Sequence, residues 1–203
     1  MAILVAAAWW TGEHDQLDAH RLIGAALAGL LVFRLVWGVI GTRTARFAAF
    51  VKGPFEVVRY ARTLLRAPKA AGPPGHNPMG GWSVLGLLGL LAVDIALGLF
   101  AVDVDGEASG PLAGQISFEA GRAAAKLHHQ AFNLLACLIA LHLAAVAFYL
   151  LVRRDDLLTP MVTGRRKAPG PDAAEVALWR KALAVGAGLL AAAAIASSLG
   201  KGS

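Results

Sequence analysis

"KLHHQAFNLLACLIALHLAAV", residues 126–146, is a lipid-soluble run that holds three histidines. With Phe148, Tyr149 and Leu150–Val152 following, it is long enough to cross a bilayer, which takes roughly 20 apolar residues. An ionisable side chain in such a segment is costly and needs a partner or a purpose. His128 and His142 are 14 residues apart. They therefore lie within roughly 40° of each other around a helix and about 21 Å apart along it. His129, 13 residues before His142, diverges from it by roughly 140°. A lone histidine in a span is ordinarily a hydrogen-bonded packing residue, whereas two on one face point to ligands.

The rest of the chain is built alike. Its 203 residues are 57% hydrophobic and 16% charged, with a mean hydropathy of +0.60, far from a soluble globular domain. Besides Leu127–Val152, three stretches are long enough to span: His20–Gly41, Trp82–Val102 and Val176–Leu199. Met1–Trp10 is apolar but too short to cross at about 1.5 Å per residue. It lacks the basic start and small-residue cleavage site of a signal peptide, and reads as the outer half of a helix. The expected fold is an all-α membrane protein: a four-helix transmembrane bundle with a truncated first helix, plus one extra C-terminal transmembrane helix. Residues 1–167 are expected to form the bundle. Residues 168–203 are expected to be a linker and an accessory helix, which has no histidine and adds nothing to a site.

Charge gives the orientation. Residues 42–69 carry Arg43, Arg46, Lys52, Arg59, Arg62, Arg66 and Lys69 against Glu56 alone, and Arg153, Arg154, Arg165, Arg166 and Lys167 follow the 127–152 span. Residues 12–19 and 103–119 are acidic. Basic loops stay in the cytoplasm, and loops 42–81 and 153–175 fall on one side of the helix count. The net charge of +6 is thus mostly topology and needs no nucleic-acid partner. Within 45–66, Phe47, Phe50, Phe55, Tyr60, Leu64 and Leu65 mix with spaced arginines. That pattern fits a helix in the membrane interface, broken near Gly53-Pro54. Cys137 is the single cysteine, so there is no disulfide framework, and it reads as a small core residue.

His20 opens its span at the outer, acidic end, and His128 opens the 127–152 span at the same end because the helices run antiparallel. Two neutral imidazoles from facing helices suit the axial positions of a haem iron. Zinc would ask for four ligands that nothing nearby supplies. Arg34, 14 residues after His20, repeats the facial offset at the depth of His142. Arginine has no lone pair for iron, so it would pair with a haem propionate or tune the site's charge, unless it simply snorkels. Asp94 is either a proton relay to a quinone or a hydrogen-bonded core group. His76 reads as a structural turn residue and His14 as a solvated loop residue. Gly24, Gly29, Gly86 and Gly89 fit close helix approach, the first pair also leaving room for a porphyrin face.

At this point "HRLIGAALAGLLVFRLVWGVIG" (20–41), "ARFAAFVKGPFEVVRYARTLL" (45–65), "GHNPMGGWSVLGLLGLL" (75–91) and "LHHQAFNLLACLIALHLAAV" (127–146) resemble the bacterial cytochrome b-561 / nickel–iron hydrogenase cytochrome b family. The resemblance runs to about Lys167. It implies a membrane carrier of two b-type haems, with His20 and His128 on the outer haem and His142 on one side of the inner haem. His128 rather than His129 matches the family ligand, since Asn133 follows it five residues on. Family members carry a histidine, usually followed by Trp, near the start of the first span. Here "MAILVAAAWWTGEHD" resembles the region after it, so an upstream start or a truncation is expected. One haem b is expected, and a second if that histidine lies upstream.

The implied role is electron transport in the bacterial inner membrane, between the quinone pool and a redox partner such as a c-type cytochrome or hydrogenase. An electron-transfer subunit is favoured over a stand-alone oxidoreductase. The alternatives are a quinol- or superoxide-reactive oxidoreductase acting directly, or a non-haem scaffold or transporter. A quinone-dependent haem spectrum without added partner marks the first, and a missing Soret band marks the second.

Overall fold

The computed structural model describes residues 1–66, 77–105, 108–154 and 176–199. The turn holding His76 and the linker 163–175 therefore lie outside the described residues, as do Lys69, Arg165, Arg166 and Lys167. The described residues form seven α-helices and no strand. In order they are α1 (Ala2–Glu13), α2 (Leu17–Ile40), α3 (Phe47–Phe50), α4 (Pro54–Arg66), α5 (Pro78–Phe100), α6 (Phe118–Leu151) and α7 (Leu178–Leu199). Four of them, α2, α5, α6 and α7, are long and apolar enough to cross a membrane.

The spans form two layers. In one, α2 packs between α1 and α7, and in the other α5 pairs with α6. The layers meet where Leu31 of α2, Leu91 of α5 and Leu135 of α6 are buried together, with Val5, Leu87 and Ile139 around them. A tight reversal folds α1 back along α2, with Asp15 in the left-handed region at φ 55, a conformation Asp tolerates better than most residues. At 12 residues, α1 is about 18 Å long, well short of the hydrocarbon layer.

One boundary departs from the hydropathy reading. Leu127 begins the apolar stretch, but α6 starts at Phe118 and runs for 34 residues. Ser117 caps it, its hydroxyl accepting from the Ala120 N–H at 3.2 Å, and Glu119 sits in the first turn where the helix dipole favours an anion. Hydropathy marks what lipid tolerates, whereas caps mark where a helix begins. His128 consequently sits almost three turns inside α6 rather than at its opening.

The end of the bundle where α2 leaves and α5 enters is knitted by polar side chains. Asn77 caps α5, accepting from Gly80 N–H at 2.8 Å, and donates to the Tyr149 hydroxyl of α6 at 2.9 Å. That hydroxyl also bonds Tyr60 of α4 at 2.7 Å. Trp82 donates its indole N–H to the Lys52 carbonyl at 2.9 Å, tying the segment that follows α2 to the first turns of α5. The break between α3 and α4 falls at residues 51–53, at the Gly53-Pro54 step. Tyr149→Phe removes the hydroxyl that both Asn77 and Tyr60 use, so a loss of about 1–2 kcal/mol is expected. Thermal unfolding of the detergent-solubilised protein measures it, and an unchanged midpoint would show the knot to be dispensable.

Candidate functional site

At the opposite end, between the layers, lies a cavity of about 530 Å³. This is within the roughly 300–1,000 Å³ of ligand pockets. α1, α2, α5, α6, the end of α7 and residues 101–104 and 108–111 line it, and His20, Gly24, Asp94, Gly98, His128 and His129 all contribute. His20 and His128 face each other edge-on, ring centroids 6.1 Å apart and planes at 84°. The sequence placed this pair at one level on antiparallel helices, and the fold brings it together.

The same device holds both rings. His20 Nδ1 is 2.8 Å from the Ala8 carbonyl of α1, and His128 Nδ1 is 2.9 Å from the Asp94 carbonyl of α5. A carbonyl only accepts, so each Nδ1 carries the proton and each Nε2 keeps its lone pair. Each carbonyl belongs to a helix and has a glycine one turn later, Gly12 after Ala8 and Gly98 after Asp94. A Cβ on Gly12 would come 3.2 Å from His20 Nδ1, and one on Gly98 would come 3.2 Å from His128 Cε1. Helix carbonyls normally serve only their own helix. Here the missing side chain lets an imidazole reach the second lone pair.

Asp94 adds a carboxylate to this grip. It is buried, with Oδ1 3.0 Å from His128 Nδ1, but the ring N–H serves the main-chain carbonyl. Among the described residues Oδ1 has no conventional hydrogen-bond partner beyond that close approach. Asp94 is thus a buried carboxylate that touches a histidine and lines the cavity.

The pair's spacing can be tested against a metal. One atom bonded in line to both Nε2 at about 2.0 Å would set the centroids about 6.2 Å apart, allowing roughly 1.1 Å from nitrogen to ring centre. The observed centroid separation of 6.1 Å is close to that value. Gly24 faces open space, with nothing within 4 Å of a Cβ built there, so a flat group has clearance on the α2 side. Among the described residues no three His, Cys, Asp or Glu side chains converge to hold a metal ion alone. The arrangement offers two neutral nitrogen ligands and leaves the remaining positions to whatever group carries the metal.

The other sequence candidates separate. His142 also reaches α5, with Nδ1 3.1 Å from the Ser83 hydroxyl, so it shares a face with His128 as the spacing requires. The remaining described histidines, His14, His20, His128 and His129, all lie toward the other end. Arg34 donates to the Ala45 carbonyl at 3.3 Å and stands over the Phe47 ring at 4.9 Å; it does not line the cavity. His129, expected to point away, does line the cavity but is exposed, its ring 6.2 Å from that of His128. Gly29 offers no room for a porphyrin, because it is packed on Gly188 of α7. Gly86 packs against Leu138 and Gly89 faces open space. Cys137 is exposed rather than buried, on an apolar surface that suits lipid. His14 is exposed at the end of α1, stacked on Trp10.

Sequence reasoning missed Gly12, Gly98 and the basic residues Arg21, Arg122 and Lys126 that line the cavity. A signal for the last three was available. They are basic residues at the acidic end, against the charge bias that orients the chain.

By fold the chain is a multi-pass helical membrane protein with an imidazole-lined cavity between its layers. The family model described as prokaryotic cytochrome b561 matches residues 1–164, and the chain belongs to that family. It is therefore a membrane b-type cytochrome working in electron transfer. No curated protein and no solved structure matches the sequence. Widening Gly98 to valine would push the His128 ring off its carbonyl. Gly98→Val is expected to lower haem affinity about tenfold through loss of the carbonyl's support for the His128 ring. Pyridine haemochrome content against protein mass measures this, and full haem with unshifted bands would show the His128 ring free to move.

Proposed function

We propose that His20 and His128 would hold a haem b in this cavity, and that the protein passes single electrons between a redox partner on that side and the quinone pool. The 6.1 Å edge-on imidazole pair, with both Nδ1 atoms committed to helix carbonyls, carries the reading. When bound, the haem supplies one-electron exchange between ferric and ferrous iron. The protein supplies neutral nitrogen donors whose orientation is fixed before binding, an apolar surround from Leu27, Leu91 and Phe132, and clearance at Gly24. Arg21, Arg122 and Lys126 at the cavity are the cations that would meet the haem's carboxylates.

His142 is the ligand proposed for a second haem toward the other end, where Arg34 holds a fixed positive charge near the Ala45 carbonyl. A second imidazole would be needed there. The membrane is taken to be the bacterial inner membrane, with the basic residues of 42–66 and Arg153–Arg154 on the cytoplasmic side. A c-type cytochrome or a hydrogenase fits as partner at the acidic end, where Glu13 and Asp103 border the cavity.

Substitution tests the ligands directly. His20→Ala and His128→Ala are each expected to abolish the haem of this cavity, and His129→Ala to keep it, as read from reduced-minus-oxidised spectra and haem stoichiometry. Haem lost in His129→Ala and kept in His128→Ala would reverse the assignment.

A further inference from the structure

We infer that α7, which lies beyond the stretch matched to the family, is a wall of the cofactor cavity and governs how firmly the cofactor is retained. This rests on the haem reading above. The contact begins at mid-span. A Cβ on Gly29 would lie 2.7 Å from the Gly188 carbonyl oxygen, and a Cβ on Gly188 would lie 2.7 Å from the Gly29 carbonyl oxygen. The backbones of α2 and α7 thus touch, and neither glycine can carry a side chain without parting them. Ala184, one turn before Gly188, is fully buried, and the Ala192 methyl lies 2.8 Å from where a Cβ on Gly29 would stand.

From that crossing α7 runs antiparallel to α2 toward the His20 end. Ala184, Gly188, Ala192, Ile195 and Leu199 follow the spacing of a single helix face. The last two residues of that face line the cavity beside His20 and Gly24, whereas Leu183, Val185, Leu189 and Leu190 are exposed on the other side. The sequence alone left this helix without a part in the site. Its composition carries no ligand, but its small residues set an approach that brings Ile195 and Leu199 to the cofactor.

The physical need follows from the solvent. A largely apolar macrocycle is soluble in the bilayer, so hydrocarbon beside an open cavity competes with the protein for it. In lipid, packing rather than water exclusion holds helices together, and close backbone contact is how α7 stays in place.

Haem transfer from the detergent-solubilised, ferric full-length protein to excess apomyoglobin, followed at the Soret band, tests this. Ile195→Ala/Leu199→Ala opens the wall without touching the crossing, and Gly188→Leu wedges the crossing itself. Each is expected to release haem about tenfold faster than wild type, whereas Leu190→Ala on the outward face should match wild type. The double variant answers the question if Gly188→Leu does not accumulate. Equal release from all these proteins would overturn the role of α7. A His20→Ala control run alongside separates the two readings, since haem retained there would overturn the ligand assignment on which the wall rests.

Discussion

Two imidazole N–H groups must be satisfied between apolar helices, where an unpaired buried donor costs several kcal/mol. His20 and His128 solve this identically, each borrowing a helix carbonyl that a glycine one turn later leaves accessible. The solution fixes more than the rings. Ala8 can serve His20 only if α1 folds back along α2, and Asp94 can serve His128 only if α5 and α6 pair in this register. The hairpin reversal at Asp15 and the pairing of α5 with α6 are in that sense requirements of the two hydrogen bonds. What the bonds leave over is a pair of lone electron pairs, the group that ligation requires.

α2 is the element on which most contacts converge. It carries His20 and Gly24 to the cavity, Leu31 to the seam between layers, and Gly29 to the crossing with α7. These four positions serve three different neighbours. A helix that is apolar all round has no single buried face, and its register is set by small residues and polar contacts rather than by hydrophobic periodicity.

This explains what the sequence made legible. Span number and the level shared by His20 and His128 came from length and helical periodicity, both properties of single segments. The start of α6 at Phe118, capped by Ser117, escaped because hydropathy reports lipid compatibility, and the cap lies in a polar stretch. Gly12 and Gly98 escaped because each matters only through a carbonyl four residues earlier and a histidine on another helix. The exposure of Cys137 and the packing of Gly29 depend on which side of a uniformly apolar helix meets lipid, and periodicity does not report that. His129 was assigned by angle alone, but next to a wide cavity a ring on the neighbouring radius still faces the opening.

The polar knot at Asn77, Tyr60, Tyr149 and Trp82 lies at the opposite end from the facing imidazoles. The bundle therefore resembles tongs, hinged where side chains interlock and with jaws where two rings meet. The two ends are thus tied differently: side-chain hydrogen bonds interlock one, whereas at the other two histidine–carbonyl bonds hold helix pairs around an open cavity.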